Sequence, residues 1–327
     1  MVTTVRIATF NMENLTDGPD ERPPLAARIA VMKPQLTRLN ADVLCLQEII
    51  GTATPPPDHL VALDTMLAGT QYAGYNRVFT AGSGNTSGHP DQRCVILSRF
   101  PITSSDQLKN KLAKAPRYQK VTAQPPAASA ENVAWERPIL YAKVTLPGGK
   151  TLHTITVHLK SKIPTDIAGQ KVNRFVWKSA AAWAEGSFIS SMKRVGQALE
   201  VRILVDQIFD AEPDAFIVVC GDFNADLDDV PLAAIRGDVE NNGNKELAGR
   251  VLVPCEKTIP EPARYSLFHH GRGEMIDHLL ISRPLLAFYR HVEIHNEVLH
   301  DESVANADDP QFPESDHAPV VAELALP

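Results

Sequence analysis

Eight short runs rich in Val, Ile and Leu, at 5–10, 43–47, 95–98, 139–146, 152–159, 216–220, 275–281 and 319–324, recur from one end of the chain to the other. Runs of four to eight apolar residues are too short for buried helices and fit strands covered on one or both faces. Helical spacing appears between them. Leu25, Ile29, Met32, Leu36 and Leu39 fall on one face of residues 25–39, although Pro34 predicts a kink or an early end. Residues 59–67 and 195–209 are further helical candidates. The order is mixed rather than strictly βαβα, so the pattern predicts two sheets with helices outside. Residues 81–90, 113–130 and 240–249 are rich in Gly, Pro, Ser, Asn or Ala and read as surface loops. With no repeat and no dividing linker, a single domain over 1–327 is expected.

At 327 residues such a chain buries roughly three quarters of its unfolded surface and needs no covalent staples. Cys45 and Cys220 lie inside apolar runs, and none of the four cysteines has C-x-x-C spacing, so buried thiols are expected rather than a zinc or redox site. No stretch approaches the roughly 18 apolar residues of a membrane span. The N-terminus enters a strand-like run directly, which reads as a cytoplasmic protein, although a secreted protein trimmed of its leader would read the same way. The net charge of −7 argues against a nucleic-acid coat protein, whose affinity needs a basic surface, but not against an enzyme that gathers carboxylates around cations.

Chemistry collects where the runs end. Val218–Cys220 leads into Gly221, then Asp222 and Asn224, two residues apart and so on one side of an extended chain. A carboxylate and an amide so placed can hold a water against a phosphorus centre; an Asx turn closing a strand would look the same. Glu48 ends the second run, Asn11 follows the first, and hard cations such as Mg²⁺ favour such oxygen donors. His158 ends another run, ahead of Lys160 and Lys162. Asp277 interrupts the apolar stretch 275–281, where a buried acid needs a partner, and an imidazole would suit. His317, beside Asp316, precedes the last run.

In order and in phrase, Ala8-Thr-Phe-Asn-Met, Leu46-Gln-Glu, Ile96-Leu-Ser-Arg-Phe-Pro-Ile, Val157-His-Leu, Gly221-Asp-Phe-Asn, Ile276-Asp-His and Ser315-Asp-His-Ala-Pro-Val resemble the endonuclease/exonuclease/phosphatase superfamily, the deoxyribonuclease-I-like fold. The phrases span nearly the whole chain. The resemblance implies an α+β fold, a four-layer αββα sandwich of two central mixed β-sheets flanked by helices. It implies a metal held by Glu48, Asn11 and Asp316, with Mg²⁺ expected and Mn²⁺ or Ca²⁺ possible alternatives. It implies catalytic roles for His158, Asp222, Asn224, Asp277 and His317. Arg137 matches a position that contacts phosphate in many members, and Asp91 is the nearest candidate for a carboxylate supporting His158. Residues 165–191, irregular after His158, are expected to insert as a lid or substrate wall, alongside insertions at 81–90 and 113–130.

The phrase His158-Leu-Lys-Ser-Lys with Arg194-Val-Gly-Gln-Ala resembles the bacterial nuclease branch. It implies a divalent-metal-dependent phosphodiesterase, an endonuclease or exonuclease acting on DNA or RNA. Lys160, Lys162 and Arg194, with Lys171, Arg174, Lys178, Lys193 and Arg202, form a local basic region suited to a polyanion. Trp135, Trp177 and Trp183 could stack on bases, though core packing is expected for at least two. Phosphoinositides and sphingomyelin are the alternative substrates. The second is disfavoured because no aromatic and apolar hairpin is evident. A catalytically dead binding module would have lost Glu48 or His317. A monomer without a membrane span is expected.

Overall fold

The computed structural model describes residues 3–19, 21–51, 59–81, 91–173, 175–303 and 312–326. Their strands form two six-stranded mixed sheets with matching layouts. The first runs Tyr289–Ile294, Val320–Leu326, Thr3–Leu15, Val43–Ile50, Gln92–Ser98, Asn76–Phe79; the second runs Leu252–Pro254, Asp277–Ser282, Phe216–Asp222, Thr151–His158, Ile139–Thr145, Ile102–Leu108. In each sheet one central pair is parallel and its outer neighbours are antiparallel. The parallel pairs are Thr3–Leu15 with Val43–Ile50, and Phe216–Asp222 with Thr151–His158.

The twofold periodicity of the strands sorts their side chains into layers. Val5, Ile7, Val43, Cys45, Val218, Cys220, Leu279 and Ile281 meet between the sheets. Their neighbours Ala8, Phe10, Leu44 and Leu46 point outward, onto α1 (Leu25–Leu39) and α2 (Val61–Leu67). On the other side Ile155, Val157, Ile217 and Val219 pack on α3 (Ala180–Ala211) through Val201, Val205 and Phe209. The result is a four-layer αββα sandwich, and all four cysteines are buried and free. Among the described residues no helix is long and apolar enough to cross a membrane.

Three local expectations are corrected. Helix α1 continues through Pro34 to Leu39, where Asn40 in the left-handed region ends it. Burial of Met32, Leu36 and Leu39 against the first sheet contributes several kcal/mol, more than the ~3 kcal/mol a mid-helix proline costs. Helix α3 begins fifteen residues before the expected 195, at Ala180, with the Ser179 hydroxyl accepting from the Ala182 N–H. The second half of 165–191 is therefore helical. The 113–130 segment is tied down as well, with Arg117–Tyr118 paired to Glu131–Asn132. Most of the 81–90 loop, and Arg174, lie outside the described residues.

A 32-residue helix is about 48 Å long, more than the sheet beneath it requires. Gln197 sits level with the end of the Thr151–His158 strand, its Nε2 donating to the His158 carbonyl at 3.5 Å. The turns of α3 before Gln197 therefore project past that end of the sheet. They carry a small core of their own, Ala123, Val133, Ile167 and Ile189 with Trp177 against it. The Glu185 carboxylate fastens the 113–130 segment by accepting from the N–H groups of Val121 and Thr122 and from the Tyr118 hydroxyl. Together these pieces form a wall beside the sandwich.

Candidate active site

The two parallel pairs end side by side, and their last residues converge. Asn11 and Glu48 come from the first sheet, His158 and Asp222 from the second. Asn11 Nδ2 donates to Glu48 Oε1 at 3.3 Å and to Asp222 Oδ2 at 3.2 Å. His158 Nε2 lies 3.3 Å from the same Glu48 oxygen and 3.4 Å from the same Asp222 oxygen. Asp222 is held again from its own loop, accepting from Asn224 N at 2.8 Å and Asn224 Nδ2 at 2.9 Å. Asn224 Nδ2 also donates to the Leu159 carbonyl at 3.0 Å, which fixes the amide's orientation.

The antiparallel neighbours add the second group. Asp277 opens its strand opposite Asp222, and its Oδ2 lies 2.7 Å from His317 Nδ1. His317 precedes the Val320–Leu326 strand of the other sheet. Its backbone is set by Ser315, whose hydroxyl donates to the Asn11 carbonyl at 2.8 Å and accepts from His317 N at 3.1 Å. Ser266 does the same for Asp277, accepting from the N–H groups of Ile276 and Asp277 at 3.1 and 3.0 Å.

Irregular backbone aims these side chains. Glu13, Asn14, Glu48 and Asn224 all adopt positive φ, between 44° and 58°. The strand register slips between Asn11 and Leu15 and between Leu46 and Ile49. Such bulges redirect a side chain that a regular pleat would send into the core, and strain of this kind collects at functional sites.

Burial and mutual charge then set the protonation states. Burial raises the Asp222 carboxyl, partly opposed by His317 and reinforced by Asp277, to about 7. Burial opposes charge on His317, but Asp277 and Asp316 overcome it and push the imidazole well above its ordinary range. His158 goes the other way: burial, with Arg137 and His317 nearby, holds the imidazole well below its ordinary range and so keeps the ring neutral.

A cleft of about 580 Å³ opens onto this cluster. Its floor includes Glu48, His158, Asp222, Asn224, Asp316 and His317, and its rim includes Gln92, Arg137, Lys162, Ile163, His269 and Glu302. Arg137 reaches it with Nε on Gln92 Oε1 at 2.8 Å and Nη1 on the Leu159 carbonyl at 3.1 Å. Lys162 faces it across Asp229, 3.5 Å away. Two other expected substrate contacts are used differently. Arg194 Nη1 donates to the carbonyls of Lys160 and Ser161 at 2.9 and 3.0 Å, and Lys160 Nζ turns to Ser161 Oγ at 2.9 Å. Both side chains fold the loop after His158 rather than line the cleft. Asp91 pairs with Arg93 at 3.1 Å, and the carboxylates that face His158 are those of Glu48 and Asp222.

Glu13 is a site neighbour that the sequence reading passed over. Its Oε2 accepts from Asp316 N at 3.2 Å, and burial together with the Asp316 charge raises it to about 8. It stands two residues after Asn11, the same spacing that drew attention to Asp222 and Asn224.

The donors fit a hard cation. Glu48, His158 and Asp222 each offer a ligand atom within 4.8 Å of the others. Asp316 Oδ1, buried beside them, has no hydrogen-bond partner among the described residues. Asn11 turns its amide nitrogen to Glu48 and Asp222 while its Oδ1 accepts from Glu13 N at 2.9 Å, and carboxylates gathered this closely repel one another unless a proton or a divalent ion lies among them.

The wall carries seven of the twelve exposed large apolar side chains among the described residues: Val121, Ile163, Val172, Phe175, Val176, Trp183 and Phe188. Lys171 and Trp177 pair as the base of a tight hairpin closed by Val172 N to Val176 O at 2.8 Å, with Phe175 79% exposed. This corrects the expectation that no apolar hairpin is present. Asn173 and Arg174 split its apolar residues, so only the short run Phe175-Val176-Trp177 marks it in the sequence. Trp135 is buried, its Nε1 donating to Glu200 at 3.0 Å; Trp177 packs in the wall, and Trp183 is half exposed.

A family model described as the endonuclease/exonuclease/phosphatase family matches residues 8–317. Solved structures with the same fold include an endonuclease/exonuclease/phosphatase family protein from Bacteroides thetaiotaomicron, with 17% identity, 100% of this chain and 96% of that chain covered, and a TM-score of 0.58. D. rerio TDP2 complexed with single strand DNA product has 18% identity, 98% coverage of each chain and a TM-score of 0.53. An AP endonuclease from Archaeoglobus fulgidus has 15% identity, 97% and 98% coverage, and a TM-score of 0.51. No curated protein sequence matches the chain at a significant level.

Proposed function

The chain belongs to the endonuclease/exonuclease/phosphatase family, and from that premise we propose that it is a Mg²⁺-dependent phosphodiesterase that cuts nucleic acid by attack of water on phosphorus. The family and the buried cluster of donors support a metal-dependent phosphoesterase. The observation that carries the reaction is the Asp222 carboxylate, raised to about 7 and fixed by both nitrogens of Asn224 at the floor of the cleft.

Glu48, Asn11 and Asp316 would hold the divalent ion, which neutralises charge that builds on the scissile phosphate. Asp222 orients the attacking water and takes its proton as the new P–O bond forms, with Asn224 fixing the direction of attack; the ester P–O bond opposite breaks, and its oxygen leaves as an alcohol after taking a proton from solvent. A carboxylate near neutrality suits that step, because it is ionised at working pH yet basic enough to accept. His317, kept cationic by Asp277, stabilises the negative charge on the five-coordinate phosphorus centre. The neutral His158 donates its Nε2–H to a non-bridging oxygen. Arg137 and Lys162 draw the phosphate into the cleft.

Nucleic acid is favoured by Arg137 and Lys162 on the rim and by the likeness to a fold found complexed with single-strand DNA product. The experiment is incubation with plasmid, single-stranded DNA, RNA and bis(4-nitrophenyl) phosphate, with Mg²⁺, Mn²⁺ or chelator. The expected outcome is metal-dependent cleavage of at least one nucleic acid, abolished by chelator. Turnover confined to phosphomonoesters would refute the nuclease reading, and activity indifferent to chelator would refute the mechanism.

One observation favours a second reading. The exposed Val172, Phe175 and Val176 hairpin is suited to an apolar surface, as a lipid phosphodiester such as sphingomyelin would present. Turnover of sphingomyelin vesicles in place of oligonucleotides would select it.

A further inference from the structure

Behind the Asp222–Asn224 turn lies a buried ion-pairing couple that the chemistry above does not use. His278 and Glu256 are both fully buried. His278 Nδ1 lies 2.6 Å from Glu256 Oε1, and His278 Nε2 lies 2.8 Å from the Ala225 carbonyl. The other Glu256 oxygen accepts from Leu279 N at 3.4 Å. The His278 ring also stands edge-on to Phe223, centroids 5.1 Å apart. One imidazole thus touches the residues on either side of Asn224.

The protonation of His278 follows from its acceptors. A backbone carbonyl can only accept, so Nε2 must carry a hydrogen. Nδ1 shares a proton with a carboxylate, and whichever of the two holds it, the couple is neutral overall and the Nε2–H still donates to Ala225. Glu256 raises the imidazole against the effect of burial, which favours the doubly protonated ring.

The turn needs such a hold. Phe223 N donates to the Ile276 carbonyl at 2.9 Å, and the chain then enters Asn224 at a φ of 47°, in the left-handed region that asparagine tolerates better than most L-residues but still at a cost relative to ordinary backbone. If Ala225 were released, Asn224 could relax toward ordinary backbone and withdraw both nitrogens from Asp222. We propose that His278, backed by Glu256, is a positioning residue that clamps Ala225 and so holds Asn224 in the geometry that orients Asp222. The inference rests on the reading of Asp222 and Asn224 as hydrolytic residues.

The test pairs two variants with two readouts. The double variant Glu256→Gln, His278→Leu removes the donor to Ala225 without stranding a buried charge. Glu256→Gln alone keeps a neutral His278 whose Nε2–H still reaches Ala225. With bis(4-nitrophenyl) phosphate and saturating Mg²⁺, the double variant is expected to lose about 10- to 100-fold in kcat, in the range of one misaligned general base. Its KM should stay within about twofold, because Arg137 and Lys162 are untouched, while Glu256→Gln alone should stay within about threefold of wild type. The acid limb of the double variant's kcat profile should move up, since Asp222 loses the two donors that favour its anion.

The second readout is independent of turnover: the side-chain amide resonance of Asn224, assigned by Asn224→Asp, should shift and broaden in the double variant alone. A wild-type kcat with an unmoved amide resonance in a folded double variant would overturn the clamp. So would equal losses in both variants, which would mark the couple as packing. If the wild-type protein hydrolyses nothing, the reading of the site fails, and the amide resonance still decides the clamp.

Discussion

The 2.7 Å contact between Asp277 Oδ2 and His317 Nδ1 crosses from one sheet to the other, joining the first residue of a strand in the second sheet to the approach of the last strand in the first. Asp277 is fully buried and its second oxygen has no hydrogen-bond partner among the described residues, so its charge is spent on the imidazole. Replacing Asp277 with Asn keeps the shape but removes the charge that holds His317 cationic. Asp277→Asn should lower kcat by roughly 10²- to 10⁴-fold with little change in KM, as measured by steady-state hydrolysis.

Glu48 shares one oxygen with Asn11 and His158 and accepts from Asn14 N with the other, at 3.0 Å. Glu48→Gln removes the charge and leaves one acceptor oxygen where both now accept, from Asn11 and from Asn14. Titration calorimetry should show Mg²⁺ binding weakened by roughly 10- to 100-fold or more, the range found when groups supporting a metal are changed. Unchanged binding would move the ion to other residues.

The carboxylates also dictate how metal and pH interact. Glu13 and Asp222 are raised in the folded protein, from 4.5 to about 8 and from 3.8 to about 7. A raised carboxyl favours the fold only while it is protonated. That contribution is complete below about pH 4 and fades as pH climbs to 7 or 8. A divalent ion replaces the lost protons. The difference in Tm with and without Mg²⁺ should be small at pH 5 and grow through pH 6 to 8. A difference independent of pH would contradict this.

Ser266 has a quieter role. Its hydroxyl accepts two buried N–H groups, and its carbonyl accepts from Ala318 N at 2.7 Å. Ser266→Ala leaves both N–H groups without an acceptor. Denaturant unfolding should show a loss of about 1–3 kcal/mol, with kcat falling as Asp277 and His317 loosen together.

Gly221, between Cys220 and Asp222, has φ +137°, and a Cβ there would sit 2.0 Å from the Val157 carbonyl oxygen. Neither backbone can give way, because Gly221 is paired to both neighbouring strands. Gly221→Ala should cost more than about 4 kcal/mol or prevent folding, read by circular dichroism and thermal melting.

The placement of seven side chains could be read from the sequence because each is a polar residue that ends, borders or interrupts an apolar run. Strands buried in a sandwich have nowhere else to put Asn11, Glu48, His158, Asp222, Asn224, Asp277 and His317 than at its mouth. What escaped were partnerships with the backbone and between distant residues. Nothing in Arg194 or Lys160 announces that a nearby carbonyl will claim its donors. Glu256 and His278 are 22 positions apart and meet only because one strand and one short helical turn pack together. Glu13 escaped for a local reason: two successive left-handed residues, Glu13 and Asn14, break the alternation by which it would have been assigned a face. The apolar hairpin of the wall was hidden because its longest apolar run, Phe175-Val176-Trp177, is three residues long and flanked by Arg174 and Lys178.

The pairing of Thr3 with Leu326 has a temporal consequence. Arg6 forms ion pairs with Glu293 and Glu323, side chains that leave the ribosome some three hundred residues later. Until then the Thr3–Leu15 strand has an open edge on the side that Val320–Leu326 will fill, and His317, just ahead of that strand, has not been made. A nascent chain therefore completes its second sheet and α3 at Ser282, before His317 and the Val320–Leu326 strand that closes the first sheet exist.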